Sequence, residues 1–152
     1  RVSGGLKGRE VRVNLEDGGT LLVGRFDLAQ SVRVLVNLVD NAHKYAPPGT
    51  PIAVTARVAG DTLEIAVADQ GSGVPALEVE RIFEPFYRAP GLAPDVGGTG
   101  LGLAISRQLA RAQGGDIRYR PAAGGGSVFT LTLPAAQLPP ALRSNLNPED
   151  VP

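Results

Sequence analysis

The chain has 152 residues, enough for one domain with a substantial core. Its 15 basic and 15 acidic residues cancel, and no block of like charge gives an electrostatic case for nucleic acid or a membrane surface. The absence of cysteine excludes a disulfide framework, a thiolate zinc site and a thiol nucleophile, and fits a cytoplasmic location. No apolar run approaches the roughly 20 residues that span a bilayer, so this stretch is expected not to be membrane-inserted. The chain starts at Arg1, holds no methionine and has no signal-peptide pattern, and reads as a fragment of a longer protein.

Residues 10–15 alternate Val11, Val13 and Leu15 with polar residues, as a half-buried strand does. A second short apolar run covers 20–23, after the turn residues Asp17-Gly18-Gly19. Asp27 and Gln30 form a capping box that opens a helix, and Pro47-Pro48-Gly49 stops it after Ala46. Strands follow on the alternation of Ile52, Val54, Ala56 and Val58, then Leu63, Ile65 and Val67, with Gly60-Asp61 as the turn. A short helix is predicted at 76–82 and an irregular Gly/Pro-rich loop at 89–100. The next helix carries Leu101, Ile105 and Leu109 and ends at Gly114-Gly115. Strands at 116–120 and 127–133 flank a turn at 123–126. This order predicts an α+β fold with helices on one face of a mixed sheet. The domain is placed at 1–134, with a proline-containing tail or linker at 135–152.

At about 100° per residue, Val32, Leu35, Val36, Val39 and Ala42 share one face of the first helix. Arg33, Asn37, Asn41 and Lys44 share the other, with Tyr45 at its edge. Two carboxamides, an ammonium and a phenol suit a nucleotide. Asn41 can offer an oxygen to Mg²⁺, Asn37 can bond a phosphate or a metal-bound water, and Lys44 brings a positive charge. Tyr45 offers a ring beside a base or sugar. An ordinary solvated polar face has the same spacing.

Two glycine segments follow. In Asp69-Gln70-Gly71-Ser72-Gly73 a carboxylate ends a strand. A buried carboxylate needs donors, and the exocyclic amine of adenine is one. Gly71 and Gly73 let a ligand approach the backbone, although a tight turn with an Asx cap uses the same residues. Gly97-Gly98-Thr99-Gly100-Leu101-Gly102-Leu103 runs into a helix and exposes N–H groups for an anion. No Gly-Lys-Ser/Thr follows and no clear strand precedes, which removes the P-loop and dinucleotide alternatives. Between them, Phe83, Phe86 and Tyr87 can anchor a loop over ATP, and Arg88 can offset charge at a terminal phosphate. Plain core positions for Phe83 and Phe86 are the alternative, and a mixture is favoured, aromatic anchor first and function second.

These four segments, in this order, resemble the ATP-binding catalytic domain of bacterial sensor histidine kinases, within the superfamily that includes DNA gyrase, MutL and heat-shock chaperone ATPases. Asn37 to Tyr45 is similar to the asparagine box, Asp69 to Gly73 to the first glycine box, Phe83 to Arg88 to the phenylalanine box and Gly98 to Leu103 to the second glycine box. The run from Lys44 to Ile52 resembles potassium-responsive sensor kinases more narrowly. The resemblance implies a two-layer α/β sandwich of about five strands and three helices. It implies ATP and Mg²⁺ as cofactors, with Asn41 on the metal, and Asn37, Lys44 and Arg88 at the phosphates. It also implies Tyr45 beside adenosine, Asp69 on the adenine amine with Gly71 and Gly73 around it, and Gly98, Thr99, Gly100, Leu101, Gly102 and Leu103 at the phosphates.

The expected activity is transfer of the γ-phosphate to a histidine on a separate dimerisation domain of the same parent, for relay to a response regulator. The isolated domain is expected to be a monomer, and an inner-membrane sensor is one candidate for the parent. Two positions depart from the family pattern. His43, the only histidine, lies inside the asparagine box and is read as structural. Arg33 occupies a position where some members carry a carboxylate, so no general base is named there. A degenerate nucleotide-binding regulator is the alternative. A serine-specific anti-sigma kinase of the same fold is disfavoured by the phenylalanine box.

Overall fold

A computed structural model describes residues 9–16, 24, 26–90 and 98–136. The expected strand at 20–23, the middle of the loop after Ala89 and the tail from 137 lie outside them. Five strands form one mixed sheet in the order β1-β2-β3-β5-β4. They are β1 (Val11–Leu15), β2 (Ile52–Ala59), β3 (Thr62–Ala68), β4 (Asp116–Pro121) and β5 (Ser127–Pro134). β1 runs parallel to β2, and every other pairing is antiparallel. Two α-helices, α1 (Leu28–Tyr45) and α2 (Gly102–Ala112), pack together and against this sheet. The predicted helix at 76–82 is instead two separate 3-10 turns, Ala76–Glu78 and Arg81–Phe83. None of the described helices is long and apolar enough to cross a membrane.

The register explains the two layers. Val54 pairs with Val67, and Val67 with Phe129, so the apolar members of the alternation fall on one side. Ile52, Leu63, Val67, Ile117, Leu131 and Leu133 form the sheet side of the core. Val34, Leu38 and Ala42 of α1 and Ala110 of α2 close it from the helix side. Alternate residues such as Thr55, Arg57, Glu64, Arg118 and Thr130 line a shallow polar groove on the opposite side of the sheet.

The buried face of α1 is rotated from the one expected: of that set Ala42 is buried and Leu35 and Val39 pack against the core, but Val32 and Val36 turn outward. Ser31, Val34, Leu38 and Ala42 are buried, while Val32 and Val36 are 48 % and 57 % exposed. The run Val32-Arg33-Val34-Leu35-Val36 offers two apolar stripes, and Ser31 decides between them. Its hydroxyl donates to Gln113 Oε1 at 3.1 Å, and the same oxygen accepts the Asp27 N–H at 2.7 Å. A serine thereby occupies a core position with its polar group satisfied. Helix α2 shows a similar rotation: Ala104, Ser106 and Ala110 are buried, while Ile105 is 36 % exposed.

The start of α1 follows the sequence in half of the expected capping box: Asp27 caps the helix, while its own N–H goes to Gln113 Oε1 in place of Gln30. Asp27 Oδ1 accepts the Gln30 N–H at 3.0 Å. Its end is less usual. Ala46 is extended, with ψ at 147°, and two prolines follow it, so the helix stops without a left-handed glycine cap. Leu131→Ala is expected to lower unfolding free energy by about 2–5 kcal/mol, because Leu131 is fully buried in the sheet. Val36→Ala is expected to stay within about 0.5 kcal/mol. Urea denaturation of the two variants checks the burial of Leu131 in β5 and the outward face of Val36 in α1.

Candidate functional site

The site is built around the end of β3. Asp69 is 6 % exposed and lies just past the last residue of that strand. Its Oδ1 accepts the Gly71 N–H at 2.7 Å and the Ser127 N–H at 3.3 Å. Neither bond uses Oδ2. Burial pushes the Asp69 carboxyl above the usual aspartate range; the two N–H groups and the charge of Arg9 act against that push and only partly offset it.

Close backbone approach sets this geometry. Gly126 has a φ of 107°, and a Cβ there would overlap the Asp69 carbonyl. Only glycine meets both conditions. Gly71 is similarly hemmed in: a Cβ would lie 2.8 Å from the Tyr45 carbonyl oxygen and 2.9 Å from Asp69 Oδ1. The last turn of α1 therefore sits directly on the Asp69–Gly71 turn.

Phe129 lines one side of the site and is backed by aromatic neighbours. Tyr119 OH accepts the Val74 N–H at 2.9 Å, and its ring lies 5.3 Å from that of Phe129. Phe83 meets Phe129 edge-on at 6.4 Å. The Arg107 guanidinium covers Phe83 at 4.3 Å and is paired to Asp116 at 2.9 Å. Phe83 is thus an anchor, whereas Phe86 is 72 % exposed and adopts a φ of 65°, so it is not a core residue. The Phe86 N–H donates to Gly100 O at 3.0 Å. A Cβ on Gly100 would lie 2.7 Å from the Phe86 carbonyl carbon. The phenylalanine segment and the second glycine segment are locked together at this point.

One cavity gathers much of the expected set. Asn41, Tyr45, Asp69, Gly71, Gly73, Arg88, Gly98, Gly100 and Leu103 line it. Sequence reasoning missed Val74, Ile82, Ser127 and Phe129, which also line it, as does Tyr87 of the expected loop anchor. The turn at 123–126 gave a signal for Ser127, since it delivers that N–H to the strand end. Asn37, Lys44, Thr99, Leu101 and Gly102 do not line the cavity. Asn37 Nδ2 donates to Ser106 Oγ at 2.9 Å, and its carboxamide fills the space left by the missing side chain of Gly102. Asn37 is a strut between α1 and α2. Lys44 is exposed, on the same face of the helix as Asn37 and Asn41. His43 Nδ1 accepts a hydrogen bond from Arg9 Nε at 3.0 Å.

Among the described residues no group of three or more His, Cys, Asp or Glu side chains could hold a metal. A single carboxamide oxygen in the cleft, that of Asn41, fits Mg²⁺ only where phosphate and water complete the shell.

Residues 26–137 match the family described as histidine kinase-, DNA gyrase B- and HSP90-like ATPases. The sensor-like histidine kinase SenX3 of Mycolicibacterium smegmatis is 43 % identical over 104 residues, covering 68 % of this chain and 27 % of SenX3. The sensor histidine kinase WalK of Bacillus subtilis is 40 % identical over 111 residues, 71 % of this chain and 18 % of WalK. Among solved structures, the mycobacterial sensor histidine kinase MprB superposes with a TM-score of 0.71 at 31 % identity, covering 85 % of this chain and 83 % of that one. Full-length ShkA in complex with AMPPNP gives a TM-score of 0.71 at 28 % identity, over 86 % of this chain and 26 % of ShkA. The chain belongs to the histidine kinase-like ATPase family, as an ATP-binding domain of the sensor-kinase type. It spans about a quarter or less of the length of SenX3 and WalK.

Ser106→Ala is expected to cost about 1 kcal/mol, because it strips the Asn37 amide of its partner in the helix interface. Thermal and urea unfolding measure the loss, and a Ser106→Thr variant that keeps the hydroxyl separates the bond from the packing.

Proposed function

We propose that this domain binds Mg-ATP in the cleft and donates the γ-phosphate to a histidine on a dimerisation domain of the same parent protein, from which it passes to a response regulator. The observation that carries this reading is the shared cavity of Asp69, Asn41 and the Gly98–Gly100 backbone. ATP would lie with its adenine amine at Asp69 Oδ2, the oxygen not used by Gly71 or Ser127. Tyr45 would face the adenosine, and the glycine backbone before α2 would face the phosphates. Asn41 would hold Mg²⁺, which supplies positive charge against the phosphates. ShkA, a structural relative, was solved with an ATP analogue, which supports nucleotide in this fold.

The chemistry asks little of the protein beyond placement and charge. The bond between the γ-phosphorus and the bridging oxygen breaks, an N–P bond forms on the acceptor imidazole, and ADP leaves. Arg88 would offset charge at the terminal phosphate. Asn37 would act through α2, whose first turn it braces. His43 is engaged by Arg9 and is a poor acceptor candidate. The reading puts the domain in the cytoplasm, where ATP and response regulators are found.

Two experiments test the reading. Titration calorimetry should detect binding of ATP with Mg²⁺. Mixing with the parent's dimerisation domain should then produce acid-labile phosphate. ATP binding without transfer would reduce the domain to a nucleotide-binding regulator, and no binding would remove the reading altogether.

The ionised carboxylate is the form that accepts from adenine, and Asp69 titrates above the usual range. ATP affinity therefore holds above that raised value and is lost as pH falls through it. The wild-type advantage over Asp69→Asn is expected to be about tenfold to a hundredfold at neutral pH. It should shrink on acidification at a pH higher than an ordinary aspartate would give. A constant ratio across the range would show that Asp69 does not read the base.

A further inference from the structure

Arg9 precedes β1 and lies outside the family match at 26–137. It is only 9 % exposed. A buried guanidinium needs its donors met. Nη1 donates to Pro47 O at 3.1 Å, Thr50 O at 2.8 Å and Thr50 Oγ1 at 3.0 Å. Nη2 donates to His43 O at 3.4 Å and Ala46 O at 3.2 Å, and Nε donates to His43 Nδ1.

These acceptors are the end of α1 and the turn after it. The final carbonyls of a helix lack partners within it, and they carry the negative end of the helix dipole. A glycine cap would commonly satisfy them, but here Ala46 is extended and Pro47 follows. A cation from another part of the chain does that work. The same last turn carries Asn41 and Tyr45 into the cavity and presses the Tyr45 carbonyl against Gly71.

We propose that Arg9 is a positioning residue for the nucleotide site: it fixes the end of α1 against the Asp69–Gly71 turn and supplies the buried positive charge behind the adenine end of the cleft. It touches no substrate and acts through Tyr45, Asn41 and Asp69. The inference rests on the proposed nucleotide cleft for its functional part and on the hydrogen bonds alone for its structural part. The field of Arg9 favours the ionised form of Asp69, in keeping with this role.

The test compares wild type with Arg9→Met, which loses charge and fork, and Arg9→Lys, which keeps the charge. Circular dichroism first establishes that each is folded. In Arg9→Met, adenosine affinity is expected to fall about tenfold, with partial recovery in Arg9→Lys. Binding of inorganic triphosphate to the glycine segment should stay at the wild-type level. Amide hydrogen exchange at Ala46 and Gly71 should speed up in Arg9→Met. If Arg9→Met does not fold, Arg9→Lys decides, by faster exchange at Ala46 and Gly71 together with a smaller adenosine loss. A folded variant with unchanged exchange and unchanged adenosine affinity overturns the proposal, and so does an equal loss for adenosine and triphosphate. Wild type failing to bind adenosine would sink the nucleotide reading instead, while the exchange measurement would still decide the placement of Arg9.

Discussion

A carboxylate buried at the end of a central strand is the constraint around which this domain is arranged. Removing a charge from water is costly, and donors must replace the lost hydration. Asp69 gets one N–H from its own turn, at Gly71, and one from the neighbouring strand, at Ser127. The second donor is in place only while β3 and β5 keep the register that sets Ala68 opposite Val128. Gly126 must then pass so near the Asp69 carbonyl that no side chain fits there. Sheet register, glycine turn and buried carboxylate form one unit, and a slip of one residue would disrupt all three.

The wall beside that carboxylate is held from the helix layer. Burial pushes Asp116 up, but hydrogen bonds from Arg107, the Ile117 N–H and Arg111 outweigh it and bring the carboxyl to about 2. The stabilisation this adds is present above the unfolded-state value and is lost as pH falls through about 2. The pair keeps Arg107 over Phe83, and Phe83 supports Phe129 and, through it, Tyr119. Phe86, three residues on, faces solvent with its backbone in the left-handed region. Such a conformation is costly for a bulky residue. It is held by the bond to Gly100, which joins the two segments bordering the loop.

Most of the fold was legible because its signals are local. The alternation in β2, β3 and β5, the cap at Asp27 and the Gly114-Gly115 stop each act within a few residues. The four motif segments were legible as a set, and the fold gathers eleven of their residues around one cavity. What failed were judgements that need a partner from elsewhere. Val36 and Val34 are the same residue type two positions apart, and only Gln113, far along the chain, makes Ser31 a core residue and turns Val36 outward. Arg9 carries no motif, and its importance lies in carbonyls about 40 residues away. Aromatic residues in Phe83–Tyr87 looked alike in sequence, yet one packs and another is exposed.

Asn37 and Asn41 show how position in the fold divides a motif. They are one helical turn apart, so their side chains point within about 40° of each other. Asn37 meets α2 just where Gly102 lacks a side chain and Ser106 offers an oxygen. A carboxamide enclosed between two helices must be paired, and this one is. Asn41 lies one turn further on and lines the cleft with Gly98 and Gly100, the residues that precede α2. There a polar group can be left for a ligand. The start of α2 at Gly102 therefore separates the two roles: an earlier start would cover the cleft at Asn41, and a later one would leave Asn37 unpaired. The glycine segment that lines the cleft is also what lets the two helices come close enough to hold it in place.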